Sequence, residues 1–399
     1  MPLPCLAGVV SGLKPKERIW SISFSGLCLE FCTRLSYRST GHLLNTVFHR
    51  SPEDSIKSRT LADFIERVGG KIQDYLLNLS NCVLDGHDFE HEHIFAQETE
   101  SYDATVAAEQ AAWNAEILLK VEEINNGREL HEQISDINRF PKLESPHSKC
   151  CYISIDDVGV KHQKEARKDG GIKNGKYVEN TVIHIQFEEN CHYLTARGMD
   201  AAFRMLYAFL LSNNLLNDCK LVFLADGARN IKNHIEKYFA SYNHCLILDW
   251  YHLRKKCKEL ISSSFKGKIE QKKILAQNLL RILWVGNVDG AIAFLNGFDD
   301  SLVKSSYWLG ELIGYLKRKD LQIVCYALRH AFSFRISSNK AEKANDLLVA
   351  QRQKHNGMSW SFKGSSALAS VSMVMLNNNT AQWLKSESLP FAFPTQKAS

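Results

Sequence analysis

The sequence predicts an α/β protein with a mixed sheet at its centre, and three observations support that fold class. The segments "CCYISIDDVGV", "NTVIHIQFEE" and "CHYLTAR" alternate polar and apolar residues, as half-buried strands do. Two apolar runs, "CKLVFLADGA" and "HCLILDW", are short enough for buried strands, and each follows an amphipathic helical segment. Most of the remaining chain has helical periodicity. The sheet is therefore expected between residues 150 and 252.

Residues 1–80 are expected to form a helical region that binds DNA. Two short amphipathic segments flank the turn-like "HRSPEDS", which is the order of a helix-turn-helix. Lys57, Arg59 and Arg67 lie on or beside the second of these segments, where they would contact DNA phosphates. A small helical bundle with solvated charges is the alternative interpretation.

Residues 81–149 are expected to form an acidic helical region that ends in a linker. The net charge of the whole chain is only +5, so the distribution of charge is more informative than its sum. From Asp85 to Glu144 there are fifteen acidic residues and four basic ones. The stretch "RFPKLESPHS" interrupts all periodicity with two prolines and is predicted to be the linker.

Residues 150–252 are expected to form the first part of a ribonuclease H-like core, because three antiparallel strands are followed by strand-helix-strand units. Asp156 ends the apolar half of the first strand, and Asp226 lies where the fourth strand runs into a glycine. Ligands collect at such strand ends. Asp157 is the alternate first acid, although strand alternation favours Asp156. For any single acid, a turn or a helix cap is the alternative role.

The two strand-end acids predict a metal site. Carboxylates brought together from different strands repel each other unless cations neutralise them. Mg²⁺ prefers oxygen ligands and needs only one or two carboxylates besides a phosphate. We therefore expect Mg²⁺, with Mn²⁺ as a substitute, and metal-assisted phosphoryl chemistry.

A third acid is predicted after a helical insertion at residues 253–335. Glu342 lies one turn into a helix of the last region, residues 336–399, with Ala344, Leu347, Leu348 and Gln351 predicted to pack on the sheet. The 116 positions between Asp226 and Glu342 are too many for a bare ribonuclease H core. An inserted all-α domain explains the gap.

The motifs "SIDD", "FLADGARN", "LDWYH" and "NKAEKANDLLVAQRQKHNGMSWS" occur in that order. Together they resemble the DDE transposases of bacterial insertion sequences related to the Mutator superfamily. The resemblance covers about residues 150–375. Its most specific parts are the Asp-x-x-His of "LDWYH" and the glutamate followed by Arg352, Gly357, Met358, Trp360 and Ser361.

The resemblance implies a catalytic triad of Asp156, Asp226 and Glu342, which would hold two Mg²⁺ ions. It implies cleavage of transposon ends and transfer of the freed 3′ hydroxyl to target DNA, by a homodimer or higher oligomer assembled on DNA. Asp249 and His252 would be accessory residues beside the acids, with Asp249 as a helix cap as the alternative.

Basic residues after the last strand are expected to contact DNA. From Arg254 to Lys273 there are eight basic residues and two acidic ones. Arg254, Lys255, Lys256 and Lys258 are predicted to bind backbone phosphates, as is Arg352; a solvated helix face is the alternative. Trp284 is a core residue or a platform for a base.

The composition favours a cytoplasmic protein, and the resemblance implies a bacterial, nucleoid-associated one. The eleven cysteines are an odd number, as expected for reduced thiols. No apolar run is long enough for a membrane span. Two other functions stay open: a ribonuclease H-like nuclease without strand transfer, and an inactive, transposase-derived DNA-binding protein.

Overall fold

The structure is a computed structural model that describes residues 20–86, 104–141, 144–145, 148–163, 176–354 and 358–393. Gly357 of the predicted motif lies outside these residues. The strands are β1 (Cys150–Lys161), β2 (Tyr177–Phe187), β3 (Asn190–Ala196), β4 (Lys220–Ala225) and β5 (His244–Leu248). The helices before and among the strands are α1 (Ile22–Arg34), α2 (Tyr37–Val47), α3 (Ser58–Leu84), α4 (Ala104–Asn125), α5 (Met199–Ser212), α6 (Leu215–Asp218) and α7 (Arg229–Phe239).

The helices after the last strand fall into two groups. The predicted insertion contains α8 (Trp250–Ser264), α9 (Ile269–Trp284), α10 (Val288–Asn296), α11 (Ser306–Lys319) and α12 (Tyr326–Ala331). The C-terminal group contains α13 (Asn339–Asn345), a π-helical turn (Asp346–Ala350), α14 (Gln351–Gln353), α15 (Phe362–Leu376) and α16 (Thr380–Ser386). Among the described residues, no helix is both long and apolar enough to span a membrane.

The five strands form one mixed sheet in the order β3-β2-β1-β4-β5. The first three strands pair antiparallel, whereas β4 and β5 pair parallel to β1 and to each other. The mixed α/β class predicted from the sequence is therefore confirmed. The parallel pairs are possible because α5 and α7 provide the crossover connections.

Helices cover both faces of the sheet. On one face, Ile153 of β1 and Phe223 of β4 belong to a hydrophobic core shared with α3, α5, α7 and α15. On the other face, Val222 and Leu224 of β4 pack with α8, α9 and α11 of the insertion. Alternate residues of a strand point to opposite faces, and β1, β4 and β5 contribute to both cores, whereas β2 and β3 contribute only to the first.

The N-terminal helices pack into the same core as the sheet. Leu61, Ile65 and Ile72 of α3 are fully buried there, together with Leu368 of α15. Helix α3 is 27 residues long, and its buried face follows the predicted helical period. The region predicted at residues 1–80 is thus built onto the α/β core over its described part.

Candidate active site

The pairing of β1, β4 and β5 aligns three acidic residues, Asp156, Asp226 and Asp249, across the sheet. Ser154 of β1 pairs with Leu224 of β4, and Ala225 pairs with Leu248 of β5. Extending each register by one or two residues aligns Asp156 with Asp226, and Asp226 with Asp249. Neighbouring strands lie about 4.8 Å apart, so the sheet gathers these carboxylates at one end of its parallel strands.

A tight turn holds Asp226 at its place. Its Oδ1 accepts a hydrogen bond from the Ala228 amide at 2.7 Å. Gly227 has a φ of +84°, and a Cβ there would lie 2.7 Å from Leu248 Cδ1. Lys319, from the end of α11, donates a hydrogen bond from Nζ to the Gly227 carbonyl. Glycine is therefore required at this turn, and the insertion contacts the loop that carries Asp226.

Asp156 and Asp157 lie on opposite faces of β1. Asp156 Oδ1 accepts from the Asp157 amide at 2.8 Å, while the Asp157 carboxylate accepts from Thr181 Oγ1 at 2.6 Å. Burial, together with the charge of Asp226, raises the pKa of Asp156 to about 6. Because the charge of Asp226 acts on Asp156, the geometry favours Asp156 over Asp157 as the partner of Asp226.

The helix that carries Glu342 also supplies an asparagine that the sequence interpretation missed. Asn345 is 8% exposed, and its Nδ2 donates a hydrogen bond to Asp156 Oδ2. Residues three positions apart share one face of a helix, so the same face of α13 carries Glu342 and Asn345. The spacing "AEKAN" was the signal in the sequence.

The side chain of Asp249 forms hydrogen bonds with both the start of α8 and the start of α13. Its side chain is fully buried, and it accepts from the His252 amide at 2.9 Å and from Ser338 Oγ at 2.8 Å. Burial opposes ionisation of Asp249, but hydrogen bonds from His252 and Ser338 outweigh it and lower the pKa. Asp249 is therefore the N-cap of α8, as the alternative interpretation held.

His252 connects this cap to the acids. Its Nδ1 lies 3.3 Å from Asp249 Oδ1. The nearby carboxylate of Asp249 raises the pKa of His252 against the opposing effect of burial, and the charges of Asp226 and Glu342 raise it further. The charges of Asp226 and Glu342 thus act on His252, and those of Asp226 and His252 act on Asp156. The structure therefore brings these four side chains close together.

The donor set of this neighbourhood fits a hard divalent cation. Asp156, Asp226 and Glu342 offer carboxylate oxygens, and Asn345 Oδ1 is a buried carbonyl oxygen with no hydrogen-bond partner in the described chain. As the side chains lie, however, no group of three His, Cys, Asp or Glu residues is gathered for metal binding in the described parts. Asn345 donates a hydrogen bond to the Asp156 carboxylate, and the Ala228 amide donates one to the Asp226 carboxylate. The side chains would therefore have to turn to bind a cation.

The prediction that Arg352 contacts DNA is wrong for this structure. Arg352 is 3% exposed, and its Nε donates to the Cys32 carbonyl at 2.9 Å. Its guanidinium lies 5.0 Å from the ring centroids of both Tyr37 and Trp360. Burial lowers the pKa of Arg352. Its role is to hold α1 and α2 against the C-terminal helices.

The basic residues of α8 divide into two pairs. Arg254 and Lys258 line a cavity of about 610 Å³ between α8 and α9, whereas Lys255 and Lys256 are exposed outside it. The cavity is also lined by Arg128, Glu132, Trp250, Gln277, Leu280, Arg281 and Trp284. The ring centroids of Trp250 and Trp284 are 4.8 Å apart. Trp284 is thus a partly buried core residue that also borders a basic cavity.

The predicted basic residues of the N-terminal region are exposed. Lys57 precedes α3, and Arg59 and Arg67 lie in its first three turns. Arg59 forms an ion pair with Asp63 at 2.9 Å, and the Arg67 guanidinium lies 5.9 Å from the Phe64 ring centroid. Their contact with DNA stays a prediction.

We expect Asp226→Asn to lower the pKa of Asp156, because it removes the charge that adds to the effect of burial. In the wild type, folded Asp156 keeps its proton up to about pH 6, against an ordinary value of 3.8. Its contribution to stability is therefore largest at low pH and is lost as the pH rises through this window. Carboxyl-carbon NMR titration of both proteins measures the shift. An unchanged midpoint would show that Asp226 does not act on Asp156.

No protein-family model matches the sequence, and no curated protein matches it. Among solved structures, the chain is similar to the Drosophila P element transposase strand transfer complex. The identity is 10% and the TM-score 0.21, over 88% of this chain and 85% of that chain. At this TM-score the similarity does not establish a common fold.

Proposed function

We propose that this protein is a DDE transposase that cuts the DNA ends of an insertion sequence and joins them to target DNA. The observation that carries the proposal is the row of Asp156 and Asp226 on adjacent strands, with the helix of Glu342 and Asn345 bonded to Asp156. The raised pKa of Asp156 supports it, since strongly perturbed carboxyls concentrate at functional sites.

The topology of the sheet supports a ribonuclease H-like assignment. That fold is expected to have an antiparallel three-strand meander followed by two parallel strands, which is the order β3-β2-β1-β4-β5. The insertion separates β5 from α13, as expected for a core that is completed late in the sequence. The acids then come from three separate parts of the chain.

Each residue has a separate role in the proposed reaction. Asp156, Asp226 and Glu342 would bind and orient the cations. Mg²⁺ held by these residues would supply an activated water for attack on the phosphate and would stabilise the leaving 3′ oxygen. His252 lies beside Asp249 and has a raised pKa, and it is proposed to contact a phosphate oxygen of the DNA. Asp249 fixes the orientation of His252.

The cavity between α8 and α9 is the proposed path of the DNA backbone beside the site. Arg254 and Lys258 have no carboxylate partner within the described ranges, so their charges are free to bind phosphates. Of the other lining cations, Arg281 lies 3.8 Å from Glu132.

Lys57, Arg59 and Arg67 are proposed to hold the transposon end. A homodimer or higher oligomer would bring two ends together.

We expect Arg254→Ala with Lys258→Ala to weaken binding to an end duplex more than Lys255→Ala with Lys256→Ala. Both double variants remove two charges from α8, but only the first removes them from the cavity. Each lost phosphate contact lowers the slope of log affinity against log salt by about one. Fluorescence anisotropy at several salt concentrations measures the slopes. Equal losses in the two variants would show that the cavity is not the binding path.

A cleavage and joining assay tests the proposed function. The purified protein is incubated with Mg²⁺ or Mn²⁺, a plasmid target and labelled duplexes from the DNA that flanks its reading frame. Nicked ends and joined products are expected. Cleavage without joined products would indicate a nuclease without strand transfer. Binding without cleavage would indicate an inactive DNA-binding protein descended from a transposase.

A further inference from the structure

The amide of Asn345 is satisfied at one end only. Its Nδ2 donates to Asp156 Oδ2, whereas its Oδ1 is buried and has no hydrogen-bond partner among the residues that the structure describes. The side chain is 8% exposed, so water reaches it poorly. A buried carbonyl oxygen without a partner is unfavourable and calls for a ligand. The oxygen lies beside the acid that the proposed function assigns to a cation.

The charge at Asp156 decides which end of the amide faces it. An ionised carboxylate only accepts hydrogen bonds, so the NH₂ group must point towards it. A cation bound to Asp156 reverses this preference, because the NH₂ group carries partial positive charge and the oxygen is a metal ligand. Rotation about the last side-chain torsion exchanges the two ends without moving the helix.

We propose that Asn345 is an oxygen ligand of the cation bound by Asp156, and that its amide turns over when the cation binds. The proposal rests on the proposed metal-dependent function and names a ligand beyond the three acids. Helix α13 then provides two oxygen ligands from one face, Glu342 and Asn345. The NH₂ group holds Asp156 in place when no cation is bound.

A purely structural role for Asn345 gives the opposite expectation. If Asn345 only donated a hydrogen bond to Asp156, its removal would free Asp156 and leave cation affinity unchanged or tighter. If Asn345 is a ligand, its removal weakens the affinity. The sign of the change therefore separates the two roles.

Titration of the DNA-free protein with Mn²⁺, followed by electron paramagnetic resonance of the free ion, tests the proposal. Asn345→Ala and Asn345→Leu are expected to weaken Mn²⁺ binding by about tenfold, as is typical when a group that supports a metal site is lost. The leucine variant keeps the volume of the side chain, so it remains informative if the alanine variant is unstable. Asp346→Asn, at the next position and exposed, is the matched control and should bind Mn²⁺ like the wild type.

Asp156→Asn separates failure of this proposal from failure of the proposed function. If Asp156→Asn weakens Mn²⁺ binding but both Asn345 variants bind as tightly as the wild type or more tightly, Asn345 is not a ligand. If Asp156→Asn also leaves Mn²⁺ binding unchanged, the proposed metal site itself is wrong. Thermal melting of each variant without metal verifies that it is folded.

Discussion

Glu342→Gln is expected to slow DNA cleavage severely while folding and DNA binding survive. The substitution keeps the size and helix propensity of the side chain but removes the charge that holds a cation. The loss of rate should be roughly a thousandfold, similar to the removal of other electrostatic groups from an active site. Mn²⁺-dependent nicking of an end duplex by the variant and the wild type measures it.

Asp346→Asn is the control for this experiment. Asp346 is exposed and begins the π-helical turn that follows α13, whereas Glu342 is partly buried. Asparagine at position 346 should therefore leave nicking nearly unchanged. Wild-type activity in the Glu342 variant would remove Glu342 from the site. A loss confined to the Asp346 variant would transfer the role to that residue.

Arg329→Met is expected to lower the free energy of unfolding by about 3–5 kcal/mol, because it leaves a buried carboxylate without its partner. Arg329 and Glu144 are both fully buried, and Arg329 Nη2 donates to Glu144 Oε1 at 3.0 Å. Tyr152 of β1 donates to the same oxygen at 2.7 Å. The pair joins the predicted linker to the insertion and the sheet. Urea unfolding measures the change.

Two further variants test the cause of this loss. Lys273→Ala removes an ion pair with Glu270 whose side chains are 61% and 76% exposed, so it should change stability by less than about 1 kcal/mol. Replacing both buried partners, by Arg329→Met with Glu144→Leu, should recover much of the loss because no charge is left unpaired. A double variant as unstable as Arg329→Met would indicate lost packing as the cause.

Short-range patterns were enough to predict the sheet and the placement of two acids. Strands have a period of two residues, so the alternation around Asp156 fixed both its strand and its face. The apolar run before Asp226 predicted a buried strand. Because the run stops at Asp226, the strand was predicted to end there. These features depend only on residues close in sequence.

Features that depend on long-range contacts or on a change of helical period were not predicted. Gln351 was expected to pack on the sheet, yet it is exposed, while Arg352 and Gln353 are buried. The π-helical turn at Asp346–Ala350 shifts the buried face by one residue, which a period of 3.6 cannot anticipate. Arg352 was assigned to DNA because a lone arginine in sequence gives no sign of the aromatic rings that enclose it.

The close crossing of α3 and α15 limits how this protein can evolve. A Cβ at Gly69 of α3 would lie 2.5 Å from Ala367 Cα of α15, so the two backbones touch where no side chain fits. Exchange of residues 20–86 for a helical region from another protein would need a matching gap on the new helix. The recognition properties of this region, which include the proposed specificity for DNA ends, are therefore expected to diversify by point substitution at exposed positions, and not by the shuffling of an independent module.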